Sequence, residues 1–230
     1  IEGIFKFSDL PRPGMTFDNG RINDMLVVAV DHKPQKRWTE NAVEYYYDDW
    51  GNLWSRMAEG CEKGEIHTPF LTDWDKLDEL KAPDVDTPEH YRSMREQFSQ
   101  PTDLYKVALI GGWIFNDARY LRKMEMYLMD MHLYSEKLDQ LHNKIAKVYE
   151  TRIHNAGRLG ADAIFIGEDM GTQTGLLFNP DTFRRFFKQL YRRLFDIAHG
   201  YNMKVLLHSC GYNWQIIDDL IEIGVDCFQF

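Results

Sequence analysis

A histidine and a cysteine stand two residues apart at the end of an apolar run, in the stretch 204–211. In an extended strand the side chains of residues i and i+2 point to the same side, so His208 and Cys210 would project together from the strand end. An imidazole nitrogen and a thiolate are ligands that zinc takes in proteins. Cysteine is also among the most buried residue types, and a lone pair of this kind is often simply packed in the core. The pair leaves two interpretations open, a metal site and core packing.

Two adjacent acids, Glu168 and Asp169, follow another apolar run and precede the glycine-rich stretch 171–175. Adjacent acids in a loop are usually solvated. This loop is too long and too rich in glycine for a minimal turn, and loops held by a rigid scaffold often carry function. We therefore predict that Glu168 and Asp169 are catalytic residues that supply charge and ligand oxygens.

The residues Gly111, Gly112 and Trp113 close a third apolar run, residues 105–110. Glycine lets the backbone approach a ligand closely, because it carries no side chain. The sequence therefore predicts cofactor binding at these three residues. Each of the three signals is weak alone, and their common position at strand ends is the argument for a site.

The elements that must position these residues alternate from residue 105 onward. The predicted strands are residues 105–110, 161–166, 204–208 and 225–230. The predicted helices cover about 121–131, 135–160, 180–200 and 214–223. The strands are nearly continuous apolar runs, which is typical of parallel strands buried on both faces. A closed (β/α)₈ TIM barrel and a doubly wound open sheet both fit, and in a barrel the strand ends would share one rim.

The first part of the chain shows less periodicity. Residues 1–40 are predicted to be an irregular segment, apart from a possible strand at 25–30, within a single domain that covers 1–230. Residues 49–54 suggest a strand with a tight turn, in a stretch rich in aromatic and acidic residues. The acids there, Asp48 and Asp49, are predicted to be solvated at a hairpin edge rather than functional.

The composition excludes several classes of function. The net charge is −9, which argues against nucleic acid as a partner, because phosphate binding needs a basic face. No run approaches the roughly 20 apolar residues of a membrane span, and the first twenty residues contain no apolar core of a signal peptide. Three cysteines, Cys61, Cys210 and Cys227, are an odd number and favour a reducing compartment, so we expect a cytoplasmic protein.

Several of these segments together resemble the uroporphyrinogen decarboxylase superfamily. The likeness is strongest over 157–230, and it is looser over 45–130. The segments that carry it are Gly160-Ala161-Asp162-Ala163-Ile164, Gly167-Glu168-Asp169-Met170-Gly171, Gly175-Leu176-Leu177-Phe178-Asn179-Pro180, the helix 183–191 and the stretch 205–211. The resemblance implies a (β/α)₈ TIM barrel. Four predicted strands would be about half of one, and a chain that ends within a strand is expected to be part of a longer protein.

The superfamily contains two enzymatic branches, and the sequence resembles one more than the other. The decarboxylase of haem biosynthesis carries the motif Arg-Gln-Ala-Gly-Arg-Tyr, which residues 1–37 do not contain. The methyltransferases that work with methylcorrinoid proteins carry His-x-Cys and a later cysteine, and these residues bind zinc. His208-Ser209-Cys210 matches the first half of that pattern. The second cysteine would fall beyond Phe230, some seventy to eighty residues after Cys210, and Cys227 comes too early to replace it.

The resemblance implies a mechanism and its cofactors. Zinc held by His208, Cys210 and a later cysteine, with Glu168 as a candidate fourth ligand, would deprotonate a small thiol. The thiolate would attack a methyl group on a corrinoid, supplied by a corrinoid protein or as free cobalamin. In the reverse sense, a small methylated substrate would give its methyl group to the corrinoid. A homodimer is also implied. The aromatic residues Trp113, Phe115 and Phe178 could wall the cavity, although core packing explains them as well.

Three hypotheses of different classes remain open. The first is the zinc-dependent methyltransferase. The second is a carboxyl-lyase of porphyrin biosynthesis, which needs no metal but needs arginines at the barrel mouth. The third is a non-catalytic barrel that binds a corrinoid or a partner protein.

Overall fold

The protein is described by a computed structural model over residues 1–6, 8, 14, 23–32, 35–60 and 64–229. These residues separate into two compact units. We call them the parallel unit (Ile1–Asp31, Val85–Trp113 and Tyr149–Phe230) and the antiparallel unit (His32–Asp84 and Ile114–Val148). A single domain over 1–230 stays a prediction. Much of the segment expected to be irregular, and Cys61, lie outside the described residues.

The elements are numbered in chain order. The strands are β1 (Met25–Ala29), β2 (Arg37–Glu40), β3 (Val43–Tyr47), β4 (Leu53–Met57), β5 (Glu65–Thr68), β6 (Tyr105–Leu109), β7 (Ala163–Gly167), β8 (Lys204–His208) and β9 (Cys227–Gln229). The α-helices are α1 (Glu2–Phe5), α2 (Arg92–Phe98), α3 (Ile114–Arg122), α4 (Met124–Leu133), α5 (Ser135–Arg158), α6 (Pro180–Phe183), α7 (Gln189–Gly200) and α8 (Ile217–Glu222). Short 3₁₀ turns cover Trp74–Asp78, Pro88–Tyr91 and Trp214–Ile216.

The parallel unit is built on one five-stranded sheet in the order β1-β6-β7-β8-β9. Every neighbouring pair is parallel. The predicted α/β class with a parallel sheet is therefore confirmed. The sequence predicted four of the strands and left β1 as a possibility inside an irregular segment. β1 is fixed by its pairing with β6, a contact between distant parts of the chain that local sequence patterns do not carry.

The two faces of this sheet are both apolar but differ in what covers them. One face is packed by helices, and Trp113, Tyr149 and Phe195 form an aromatic cluster there. The other face lines a cavity of about 660 Å³. Its side chains include Val27, Leu109, Phe165, Leu206 and Cys227, with Ile4 and Phe5 of α1 beside them. Alternation along the strands explains the division, since residues at i and i+2 share a face.

The helical stretch before β8 begins where the sequence predicts. Asn179 caps it, because its side chain accepts a hydrogen bond from the N–H of Asp181, and Pro180 occupies the first turn. A π-helical segment, Arg184–Lys188, joins α6 to α7. Periodicity could not reveal this segment, since one π turn adds a single residue to the repeat.

The antiparallel unit contains the sheet β2-β3-β4-β5, in which all neighbours are antiparallel. The predicted turn near 49–54 is confirmed as the hairpin between β3 and β4. Asp48 differs from expectation: it is half-buried, and its carboxylate accepts hydrogen bonds from the backbone N–H groups of Trp50 and Asn52 and from the indole of Trp54. This acid holds the turn and is not a solvated edge residue.

The helix predicted near 121–131 is two helices in the structure. α3 ends at Arg122 and α4 starts at Met124, because Lys123 between them adopts a φ of +59°. The buried guanidinium of Arg122 donates to Asp130 and to the carbonyl of Leu71, which fixes this corner. The spacing of apolar residues in the sequence continues across Lys123, so it does not indicate that one helix ends and another begins there.

Within the described ranges, no helix is both long enough and apolar enough to cross a membrane.

Candidate metal centre

Three potential ligands of different chemistry meet at the carboxyl end of β7 and β8. The Sγ atom of Cys210 lies 3.2 Å from Nε2 of His208. The same Nε2 atom lies 3.6 Å from Oδ1 of Asp169. One ligand atom from each residue falls within 4.8 Å of the other two. Sulfur, imidazole nitrogen and carboxylate oxygen are the three donor types that protein zinc sites use, so the residues present fit this metal.

The strand register positions these three residues. His208 is the last residue of β8 and pairs with Gly167 of β7. Asp169 stands two residues after Gly167, and Cys210 stands two residues after His208. By alternation all three follow the sheet face that lines the apolar cavity. The side chains of His208 and Cys210 therefore lie together at the end of a strand, as their spacing predicts, and metal binding by them stays a prediction.

Two glycines let the loops that carry the ligands approach each other. Gly211 has a φ of +86°, and a Cβ atom there would lie 2.4 Å from the carbonyl carbon of Gly171. The backbone N–H of Tyr212 donates to the carbonyl of Thr172 at 2.6 Å. The side chain of Asn213 donates to the carbonyls of residues 209, 210 and 211, which fixes the turn after β8. Only glycine fits such a backbone contact.

Hydrogen bonds orient each ligand residue. Nδ1 of His208 lies 2.5 Å from the side-chain oxygen of Gln229, which leaves Nε2 facing the other two residues. The backbone N–H of Cys210 donates to Oδ1 of Asp169 at 3.1 Å. Cys210 and Cys227 are thiols rather than a disulfide, and burial raises the pKa of Cys227, with the charge of Asp226 adding to the shift.

Glu168 lies beside Asp169 in sequence but apart from the ligand group. Its side chain is fully buried and accepts a hydrogen bond from the hydroxyl of Tyr191 in α7. The hydroxyl of Ser209 donates to its backbone carbonyl at 2.6 Å. The structure brings Asp169, rather than the suggested Glu168, next to His208 and Cys210. Catalytic roles for Glu168 and Asp169 stay predictions.

The predicted cofactor-binding stretch has two different parts. Gly111 has a φ of +101°, and a Cβ atom there would lie 3.0 Å from Nη1 of Arg152, which donates to the carbonyl of Ile110. Gly111 and Gly112 are half-buried at the end of β6, where cofactor contact stays a prediction. The Trp113 ring is fully buried in the aromatic cluster with Tyr149, Tyr191 and Phe195.

The other aromatic residues suggested as cavity walls are engaged in packing. Phe115 belongs to the antiparallel unit, is fully buried and contacts Tyr127. Phe178 packs against Phe187, with ring centroids 5.7 Å apart. The sequence explained all three rings equally well as cavity walls or as core residues. In the structure Trp113 and Phe115 are core residues.

Sequence reasoning missed Gln229 and Tyr191. Gln229 reaches His208 because the two residues are register partners of β8 and β9. Tyr191 reaches Glu168 from a helix 23 positions later. The signal available for Gln229 was its place at the end of a fourth apolar strand, in line with the other strand ends. No local signal pointed to Tyr191, whose position among helix-face aromatics suits a core residue.

The comparisons with known proteins agree with this fold. The solved structure of a methyltransferase from Methanosarcina mazei is similar, with a TM-score of 0.62 and 19% sequence identity. The match covers 78% of this chain and 52% of that one, so the chain spans about half the length of the methyltransferase. At this identity the likeness shows the fold alone, a TIM-barrel-like α/β architecture of which the five parallel strands are a part.

Two sequence comparisons complete the assignment. No match to a curated protein was found. The model of the uroporphyrinogen decarboxylase (URO-D) family matches residues 56–230, which is most of the chain and includes the strand ends described above. The chain therefore belongs to the uroporphyrinogen decarboxylase family.

Proposed function

We propose that the protein is a zinc-dependent methyltransferase that moves a methyl group between a corrinoid and a small thiol or methylated substrate. The observation that carries the proposal is the convergence of Asp169, His208 and Cys210 within 4.8 Å at the strand ends. A family member that used only arginines and no metal would have no need for this donor set. The methyltransferase fold neighbour supports the same branch.

The ligand residues have defined tasks in this proposal. His208 would bind the metal through Nε2, Cys210 through Sγ and Asp169 through Oδ1. When bound, zinc would lower the pKa of an incoming thiol and so supply a thiolate at neutral pH. The further cysteine that the family likeness implies would complete the set.

The surroundings suit a thiolate nucleophile. The apolar side chains Phe165 and Leu206 line the cavity on the same sheet face as the ligand residues. Such a wall limits hydration of a bound anion and strengthens electrostatic interactions beside it. His208 and Asp169 are each about one-third exposed, so substrate could reach them. A corrinoid protein or free cobalamin would then present its methyl group at this edge.

The experiment measures zinc and methyl transfer together. We expect the purified full-length protein to hold one zinc per chain by elemental analysis and to transfer a methyl group from methylcobalamin to a thiol. His208→Ala and Cys210→Ala should lose the zinc and the transfer. Cys227→Ala is the matched control for zinc binding, since it removes a thiol from the adjacent strand outside the ligand set, and it should keep the zinc. Methyl transfer by a zinc-free wild type would contradict the proposal.

A second candidate is a carboxyl-lyase acting on a tetrapyrrole, which the matching family description favours. It requires arginines near the strand ends to bind carboxylates. Arg152 lies beside Gly111, where its guanidinium donates to the carbonyl of Ile110. Turnover of a porphyrinogen by metal-free protein, with no methyl transfer, would support this function over the first.

A further inference from the structure

We infer that Gln229 is a positioning residue for the metal centre: its side-chain oxygen accepts the Nδ1–H of His208 and so keeps Nε2 as the metal-binding nitrogen. This inference rests on the proposed zinc function. It adds a residue on β9 that neither the sequence analysis nor the family likeness assigns to the site.

The contact is built into the sheet. His208 and Gln229 are direct register partners in the parallel pair β8–β9. The backbone N–H of Ser209 donates to the carbonyl of Gln229 at 3.1 Å, which ties the two strand ends together. Nδ1 and the amide oxygen are 2.5 Å apart. The partner is thus placed by backbone pairing and not by a mobile loop.

Hydrogen-bond chemistry then selects one tautomer of His208. A neutral imidazole has one N–H donor and one acceptor nitrogen, and an amide oxygen can only accept. With the oxygen of Gln229 on Nδ1, the proton is on Nδ1 and the lone pair is on Nε2. The opposite amide orientation would put an NH₂ group against Nδ1, move the proton to Nε2 and remove the lone pair that faces Cys210.

Packing does not supply this orientation. The His208 side chain is 29% exposed, so its ring is only partly held by neighbours. The other two ligand residues constrain each other, because the N–H of Cys210 donates to Asp169. The hydrogen bond to Gln229 is the corresponding restraint on His208. Outer partners of this kind typically change metal affinity by about 10- to 100-fold when they are removed.

The first readout is zinc affinity, measured by competition with a chelator in the full-length protein. We expect Gln229→Leu to weaken zinc binding by about 10- to 100-fold. Gln229→Glu should restore affinity to near the wild-type value, because a carboxylate can accept the same N–H. Gln189→Leu, at an exposed position of α7, is the matched control and should bind as the wild type does. Equal weakening by Gln229→Leu and Gln229→Glu would indicate a structural role and overturn the inference.

The second readout needs no metal. The ¹⁵N chemical shifts of the His208 ring in metal-free protein report which nitrogen carries the proton. We expect the Nδ1–H form in the wild type and in Gln229→Glu, and a mixture with Nε2–H in Gln229→Leu. A wild type in the Nε2–H form overturns the positioning role. A wild type in the Nδ1–H form that binds no zinc overturns the proposed metal centre, and with it the role of Gln229 toward a metal, while the orientation of the His208 ring by Gln229 stands.

Discussion

The two ends of the parallel sheet carry similar residues in different arrangements. Each end has a histidine, an aspartate and a cysteine: His199, Asp226 and Cys227 at the amino end, and His208, Asp169 and Cys210 at the carboxyl end. At the amino end His199 and Asp226 pair at 2.9 Å. At the carboxyl end His208 and Asp169 are 3.6 Å apart. The difference lies in what else the carboxylate contacts.

At the amino end the carboxylate of Asp226 is fully occupied by donors. Lys204 donates to one oxygen at 2.7 Å, and His199 and the backbone N–H of Val205 donate to the other at 2.9 Å. Burial alone would raise the pKa of Asp226, but the hydrogen bonds from His199, Lys204 and Val205 outweigh it and lower the pKa to about 2. Such an acid stabilises the fold.

At the carboxyl end the same residue types aim their ligand atoms at one another. The Cys210 thiol and the Asp169 carboxylate both lie near Nε2 of His208. Three groups that could each bind a cation share one small volume there. Residue type therefore does not distinguish a structural hydrogen-bond network from a group of candidate metal ligands. The direction in which the side-chain N, O and S atoms point does distinguish them.

The largest expected effect is a stabilisation by zinc that depends on the carboxyl end of the sheet and not on the amino end. At a free zinc concentration about a thousand times the dissociation constant, binding adds about 4 kcal/mol to the free energy of unfolding. Cys210→Ser should lose most of this increment, and Asp226→Asn should keep it although its starting stability is lower. Urea unfolding with zinc and with a chelator measures the increment. An undiminished increment in Cys210→Ser would remove the distinction between the two ends.

The second prediction compares the glycines that close each end. Gly211→Ala should cost about 3 kcal/mol, because the positive φ is strained and the new Cβ meets backbone atoms of Gly171 that cannot yield. Gly224→Ala should cost about 1.5 kcal/mol, because φ is also positive but the Cβ meets the side-chain ring of His199 rather than backbone atoms. Urea unfolding of metal-free protein measures both. Equal costs would show that the loop contact beside the candidate metal ligands adapts as easily as a side chain does.

The third prediction concerns the two aspartates in metal-free protein. Asp226→Asn should lower the free energy of unfolding by about 2 kcal/mol, the value that corresponds to the depressed pKa. Asp169→Asn should change it by less than about 0.5 kcal/mol, because its carboxylate is about one-third exposed and its interactions are screened by solvent. Urea unfolding at neutral pH measures both variants. Similar costs for the two variants would contradict the contrast.

The smallest effect is the pH dependence that Asp226 gives to the amino end. The folded pKa of Asp226, about 2, is below its unfolded value, so its contribution is complete above the unfolded pKa and is lost as pH falls toward the folded pKa. Between pH 5 and pH 3 the wild type should lose about 1 kcal/mol that Asp226→Asn does not lose. Parallel denaturation series on the two proteins measure this difference. Identical slopes would mean that Asp226 is not the group concerned.

The sequence was most informative where one strand contains the whole signal. His208 and Cys210 share a face because they are two residues apart, and the apolar runs predicted the parallel sheet because buried strands need no polar face. Asp169 was predicted as a catalytic residue, and not as a zinc ligand, because it follows another such run. These features depend on neighbours along the chain.

The features that were not predicted depend on partners far apart in sequence. The contact of Gln229 with His208 requires the register of β9 on β8, and slipping it by one residue would turn Gln229 to the other face. Of the antiparallel sheet the sequence predicted only the turn between β3 and β4, because the strands are short and half-buried. The sequence did not show which of Glu168 and Asp169 would lie beside His208 and Cys210. Adjacent side chains point in opposite directions, and the face that each one takes is known only when the end of β7 is fixed.

The π-helical segment Arg184–Lys188 has a consequence for how the chain tolerates changes in length. A π turn contains one residue more than the α-helical turn that would leave the following side chains in the same orientation. A single deletion in the π-helical segment would therefore let the helix continue as an α-helix, with Tyr191 still directed at Glu168. The long helix α5 contains no such turn in its described course. A deletion ahead of Tyr149 would rotate that ring by about 100° about the helix axis, away from Trp113. The helical stretch that carries Tyr191 thus tolerates a one-residue deletion in its π turn, and α5 does not.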